Sequence, residues 1–459
     1  MRCQRLAFIV LLTLLSAGLA ACGSSSSTPS SSASGSSSES ESETESTSNE
    51  SESVLPTSKR GVVTIPMAIV GDPGNPSVGV VQTFSGPKGD FVDPPKPPKE
   101  TGIYKSCSEA PKAPLSCLTV GGVSYTYGIG EFAVTVSQYV KFLNTVDARG
   151  KNLHKLYFDE MSPTIWPRYG SISYSSGAAT GQHYSVAYPQ WANKPFNFGD
   201  FRRAIRFVNS LTNGTILSHT ASSSGAFKYV TYTVRLSPNT EHGMYDLTNP
   251  ATTRTKSTGF VLPSNNEWVK GAYYDPNHGG TDSYWAFPTD PFDPPHPTKL
   301  NPGTGEVLNA SEQPLATYNP NDPNSKVDTP GSPPGAAPNW CPYQAGPSCE
   351  KIFPASMPEG LNLPKNYEGN VSTVGAAKDP SPWGTYDMGG NVVENLETIA
   401  PQPPGYSFKR NWRYYHGGVA NAPAYQLEIS AFGFNVGDPS YEPLYPWDGF
   451  RVGIIGNLE

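Results

Sequence analysis

Trp383-Gly-Thr-Tyr-Asp-Met-Gly-Gly-Asn-Val-Val-Glu394 is the stretch on which the reading of this chain turns. Paired Gly389 and Gly390 let the backbone turn sharply there, and carboxylates flank the turn at Asp387 and Glu394. Upstream, Phe260-Val-Leu-Pro-Ser-Asn-Asn-Glu-Trp268 spells a helix start. Ser264 and Glu267 form a capping box ahead of Trp268 and Ala272, and Asp275-Pro276 supplies the stop. Two more helices announce themselves in the same way. Thr135 and Gln138 cap a stripe of Val136, Tyr139, Val140 and Leu143, while Asp200 caps Phe201, Ala204, Ile205, Val208 and Leu211, with Gly214 as the end. Residues 61–70 read as a first strand closed by the turn Gly71-Asp-Pro-Gly-Asn-Pro, and residues 125–132 as another. The remainder reads as short strands and long loops, with Phe287 to Lys365 a meandering surface insertion.

Composition agrees with that pattern. The 45 glycines and 47 prolines are a far larger share of the 459 residues than average usage, and charged residues are only 15% against about 25% in ordinary domains. The 25 tyrosines and 8 tryptophans speak against global disorder. The expected class is α+β: irregular and loop-rich, with few helices and short strands. The same numbers speak against a helical bundle, a coiled coil and a polytopic membrane protein. Net charge is -7, but six glutamates between residues 23 and 54 carry most of it, and with Arg2 and Arg5 also set aside about -3 is left for the residues after Val54. No basic cluster stands out, so nucleic acid is not an expected partner.

The amino terminus reads as an address. Arg2 and Arg5 precede an apolar run from Leu6 to Leu15, too short to span a bilayer, and Leu19-Ala-Ala-Cys22 follows. This is the order of a secretory signal peptide, and its end resembles the lipobox of bacterial lipoproteins. The resemblance implies lipidation at Cys22, a membrane partner through that anchor, and a place in the bacterial cell envelope, at the outer membrane or cell surface. Residues 23–58 are Ser, Glu, Thr and Gly almost throughout. They cannot bury enough apolar surface to offset ordering entropy, so a solvated tether is expected.

From residue 61 to 455 the order of motifs resembles the formylglycine-generating enzyme family, also called sulfatase-modifying factors. Residues 131–143 are similar to its opening "EVTNAQYAEFL" block, and residues 260–276 to "LPSEDEW…AAYYDP". Residues 383–394 resemble "YGLYDMGGNVWEW", and Gly417-Gly418 with Gly449-Phe-Arg-Val452 resemble the closing "RGGSW…GFRV". The resemblance implies one irregular domain related to C-type lectins. It also implies a structural Ca²⁺ held by the side chains of Asp387 and Glu394 and the carbonyls of Gly390 and Val392, a donor set of hard oxygens. The alternative is that Glu394 caps or hydrogen-bonds the loop backbone. Val393 and Asn395 stand where the family has two tryptophans.

The family's chemistry departs here. Its oxidase activates oxygen on copper held by two cysteines near the carboxyl terminus, and soft thiolates are what select Cu(I). No cysteine follows Cys349, so copper has no expected site and no catalytic residue is assigned. The seven histidines show no metal-ligand spacing, and neither a GxSxG elbow nor a Walker loop is present. The first reading is a lipid-anchored envelope domain that binds a protein or glycan ligand or serves envelope structure. Related variable lipoproteins of diversity-generating retroelements use this fold for display. Trp412, Tyr414, His416, Tyr441 and Trp447 are the candidates for a ligand surface, unless these aromatics fill the core of a helix-poor fold. The competing reading is a formylglycine-generating-type oxidoreductase that modifies sulfatases.

Four cysteines remain in the mature domain, and export places them in an oxidising compartment. Local pairing joins Cys107 to Cys117 and Cys341 to Cys349, with crossed pairings also open to the sequence. Peptide mapping of the exported protein without reductant is expected to recover both local pairs as linked peptides. Free thiols at all four positions would contradict the pairing and the compartment together.

Overall fold

The computed structural model describes residues 61–81, 117–165, 170–249, 252–278, 283–300, 304–318, 371–401, 411–420, 424–436, 447–456 and 458. By its contacts the chain separates into residues 1–54 and 55–459, and every described residue belongs to the second unit. The expected anchor at Cys22, the tether, Cys107, Cys341, Cys349 and Tyr441 lie outside the described residues. So does the side chain of Cys117.

The chain runs through β1 (Val62–Val70), β2 (Val78–Val81), β3 (Cys117–Val120), β4 (Tyr127–Gly130), α1 (Val136–Val146), β5 (Ile172–Tyr174), β6 (Tyr184–Val186), α2 (Phe201–Thr212), β7 (Thr215–Ser224) and β8 (Phe227–Arg235). It continues as β9 (Gly259–Val261), α3 (Asn265–Tyr273), β10 (His296–Pro297), β11 (Leu315–Ala316), β12 (Val393–Ile399), β13 (Trp412–His416), β14 (Phe432–Val436), β15 (Asp448–Gly449) and β16 (Gly453–Ile455). Among the described residues, three helices and many short strands make this an irregular α+β fold, as its composition leads one to expect.

The helices begin where the side chains cap them. Thr135 and Ser264 each sit in a complete capping box, with Gln138 and Glu267 returning the bond to the cap backbone. Asp200 accepts from the Arg203 N–H at 2.7 Å. The inward stripes of α1 and α2 are buried, and these helices lie against strands of both larger sheets: α1 on β1, α2 on β9 and β12.

Two sheets carry the architecture. One has six strands in the order β7-β8-β1-β4-β16-β9, the other four in the order β14-β13-β12-β15. The carboxyl-terminal stretch joins them. β15 pairs parallel with β12 in the smaller sheet, and β16 pairs with β4 and β9 in the larger one. Residues 450–452 are therefore the crossing between the sheets. Phe450 and Val452 are buried with the main core on either side of that step.

One expectation needs correction. The beginning of the segment read as a surface insertion is part of the packed body: Phe287, Leu300, Leu315, Ala316 and Tyr318 are all buried. β10 pairs parallel with β11, and the Tyr318 hydroxyl donates to the Pro295 carbonyl at 2.7 Å. The prolines and asparagines there form short turns around a few fully buried aromatic and aliphatic anchors. Residues 319–370 lie outside the described residues.

Candidate functional site

The stretch Trp383 to Glu394 is a clasp first. Gly390 has φ +83°, and a Cβ on it would lie 2.2 Å from the Thr317 carbonyl oxygen, so only glycine fits. Asn391, itself at φ +64°, then fastens two remote segments. Its N–H donates to the Thr317 carbonyl at 2.8 Å, and its Oδ1 accepts from the Ser372 N–H at 3.0 Å. On the other side the Gly390 N–H reaches the Gly417 carbonyl at 2.5 Å, and the Ala420 N–H reaches the Asn391 carbonyl at 3.0 Å. The paired glycines of both motifs thus meet each other.

Glu394 leaves the clasp at the start of β12 and meets Arg451 from the crossing between the sheets. The guanidinium forks onto the carboxylate, Nε to Oε2 at 2.6 Å and Nη2 to Oε1 at 2.6 Å, with both side chains essentially inaccessible to water. The Trp268 indole N–H adds a third donor to Oε2 at 2.8 Å. Arg451 spends its remaining donors on the carbonyls of Gly130, at 2.9 Å, and Tyr386, at 3.0 Å. Four segments distant in sequence therefore converge on one buried ion pair.

Trp268 also stacks on His416, ring centroids 4.9 Å apart and nearly parallel. His416 is the direct cross-strand neighbour of Glu394. Its Nε2 lies 2.7 Å from Asn265 Oδ1, an acceptor only, so Nε2 carries the proton. Burial pushes the imidazole down to about 3, which keeps it neutral across the physiological range. Asn395 donates to the carbonyls of Gly199 at 2.7 Å and Gly449 at 3.2 Å. It thereby ties β12 to the loop before α2.

The donor set that the resemblance implies for Ca²⁺ does not fit this arrangement. Glu394 already faces a guanidinium and an indole N–H with both oxygens, so a divalent cation there would meet an established positive charge. The backbone-capping alternative does not hold either, since the carboxylate partners are side chains. Asp387 lies beside the pair and accepts from the Gly375 N–H at 2.6 Å. Burial raises its carboxyl to about 6, against the opposing pull of the Gly375 N–H and Arg451. Gly390 serves the clasp, and Val392 packs with Ala133, Val371 and Ala420. Among the described residues, no group of three or more His, Cys, Asp or Glu side chains is placed to share a metal ion.

The ligand-surface expectation also changes. Trp412, Tyr414 and His416 are buried at 2%, 5% and 1% exposure. Their strand β13 is an inner strand of the four-stranded sheet and is covered on both faces, so the core-filling alternative holds for them. Trp447 is half-buried, and its carbonyl accepts from the Val393 N–H at 3.1 Å. Sequence reasoning missed Arg451 as the partner of Glu394. An arginine between Phe450 and Val452, in a closing motif otherwise apolar, was the available signal.

No protein-family profile matches the chain, and no curated protein matches it. Among solved structures it is similar to Treponema denticola variable protein 1, at 15% identity over 88% of this chain and 100% of that one, with a TM-score of 0.36. It is also similar to CarF, at 14% identity over 86% and 99% of the two chains with a TM-score of 0.34. A third similarity is to PvdO from Pseudomonas aeruginosa, at 14% identity over 84% and 100% with a TM-score of 0.34.

Breaking a buried ion pair by removing one partner typically costs about 3–5 kcal/mol, because the survivor is left charged and unpaired. Arg451→Met is expected to show a loss of that size in denaturant unfolding, and adding Glu394→Leu is expected to recover part of it. EDTA is expected to leave the melting temperature of the parent unchanged. A fall on chelation that Ca²⁺ reverses would restore the metal to this loop.

A second outcome concerns pH. Glu428 follows the short turn Ala424–Leu427 and is buried, with the Ser430 hydroxyl at 3.2 Å. Burial raises its carboxyl to about 8. The folded state then binds a proton that the unfolded chain has released, so this group's contribution is greatest below about pH 4.5 and is lost as pH rises through about 8. Unfolding measured from pH 5 to pH 8.5 is expected to show Glu428→Gln losing less stability than the parent. Parallel profiles for the two would refute the assignment.

Proposed function

We propose that this chain is a lipid-anchored protein of the bacterial envelope whose sulfatase-modifying-factor-like domain is a non-catalytic scaffold that presents loops to a protein or glycan ligand. One observation carries the reading. Residues of the motifs that resemble the enzyme family are buried and engaged within the fold: Glu394 with Arg451 and Trp268, Asn265 with His416, and Asn391 with Thr317 and Ser372. Side chains engaged in this way are suited to holding a fold together, and a scaffold of that kind is free to vary its surface.

The oxidoreductase reading has a chemical obstacle. Forming formylglycine removes a thiol from the substrate and needs an oxygen-activating centre, for which the family supplies thiolates. No cysteine follows Cys349 in this sequence. The matching motifs offer a soft donor only in the Met388 thioether, with His416 beside them, and a thioether or a single imidazole makes a weak copper site.

Two measurements test the proposal. Purified protein, with and without copper, is expected to leave a sulfatase-motif peptide unoxidised by mass spectrometry. Turnover above a protein-free blank that is lost in His416→Ala would favour the enzyme reading instead. In cells, Cys22→Ser is expected to move the protein from the membrane to the soluble fraction, and a variant still fully membrane-bound would remove the anchor from the proposal.

A further inference from the structure

We propose that the outer edge of β7 is a self-association surface, on which a second copy of this chain lays its own β7 antiparallel to form a two-fold dimer. The inference is independent of the function proposed above. It starts from an edge that lacks the usual protection. β7 ends the six-stranded sheet, and no described strand pairs with its outer side. It is ten residues long, and all ten are exposed. Its inner side is laddered to β8 from Thr215 opposite Arg235 to Ser224 opposite Phe227, apart from a register shift at Leu217. The opposite side therefore presents a row of backbone donors and acceptors to water.

Long sheet edges are normally blunted by lysines, prolines, inward charges or a cover. Thr215-Ile-Leu-Ser-His-Thr-Ala-Ser-Ser-Ser224 contains no Lys, Arg, Asp, Glu or Pro. One irregularity interrupts the ladder, between Ile216 and Ser218, which leaves Ser218 to Ser224 regular. The two largest apolar side chains on the strand, Ile216 and Leu217, are 50% and 44% exposed.

The character of the edge selects the occupant. Serine, threonine and alanine along it provide neither charge nor pocket, so little would discriminate in favour of a foreign peptide, and main-chain pairing supplies the affinity. Two copies of this chain carry net negative charge, yet they meet along a line without a formal charge and do not repel there. An antiparallel strand pair related by a two-fold axis is self-complementary and closed. Growth beyond the dimer has little to build on, since the far edge of the same sheet is β9, only three residues long.

Size sets the strength. Ten residues of strand extend about 34 Å, and the edge of one strand buries well under the roughly 1,200 Å² of a standard stable interface. The dimer is therefore weak in dilute solution and is favoured where copies are concentrated.

The test uses the full chain carrying Cys22→Ser, so that lipid cannot drive association. Sedimentation equilibrium across the micromolar to sub-millimolar range is expected to show the average mass climbing from 49.2 kDa toward twice that value and no further. Amide exchange over residues 215–224 is expected to slow as concentration rises. With the two-fold passing at Ala221, the middle of the regular stretch, Thr220→Lys with Ser222→Lys puts like charges face to face, and is expected to weaken association at least tenfold with the melting temperature unchanged. The Glu pair at the same positions is expected to act alike, so poor folding of either variant leaves the other to decide. A chain that stays monomeric at the highest concentration overturns the proposal. So does association that persists in both charged variants, or that grows without limit.

Discussion

The pairing of Glu394 with Arg451 is the contact from which the rest of this fold hangs. A buried ion pair adds little net stability over a well-packed apolar pair, because desolvation offsets most of the attraction. What it adds is specificity of arrangement. Arg451 occupies the short crossing between β15 and β16, so its fork fixes how the two sheets meet. Its spare donors then reach Gly130 at the end of β4 and Tyr386 at the approach to the paired glycines. A misplaced crossing would strand both charges away from water, a penalty that few alternative packings could absorb.

Much of this was written locally in the sequence. The helix starts at Thr135, Asp200 and Ser264 lie where short-range capping chemistry puts them, since a cap needs only residues three apart. Strand β1 followed from its apolar content and the turn after it. The hairpin of β7 and β8 was not legible, because Thr215 to Ser224 has no hydrophobic alternation: both faces of that strand are wet, and only the ladder to β8 makes it a strand. The aromatics of β13 misled in the opposite sense. A cluster of Trp, Tyr and His near Gly417-Gly418 looks the same in sequence whether it lines a surface or fills a core. Only the inner position of β13 decides that it fills a core.

The site was legible as a set of residues and not as a set of contacts. Glu394, Trp268 and Arg451 fell within quoted motifs and His416 directly before one, and the structure brings them together within hydrogen-bond or stacking distance. Their roles came from partners more than fifty positions away, which spacing along the chain cannot reveal. The same limit explains Asp387, whose environment is set by the Gly375 N–H and the nearby guanidinium. Burial holds His416 and Glu428 uncharged near neutral pH, whereas Glu394 and Arg451 are buried as an ion pair.

Asn391 has one more consequence. Its backbone N–H holds the carbonyl of Thr317 and its side chain holds the backbone of Ser372, while the hydroxyls of Thr317 and Ser372 meet at 3.0 Å. Both ends of the intervening sequence are thus riveted to one asparagine that belongs to the frame. Anything spliced between such rivets sees fixed, adjacent ends, and the entropy of closing a loop grows only by about 0.6 kcal/mol for each doubling of its length. The frame is in this sense a socket, able to accept inserts of different length and composition without renegotiating its own contacts.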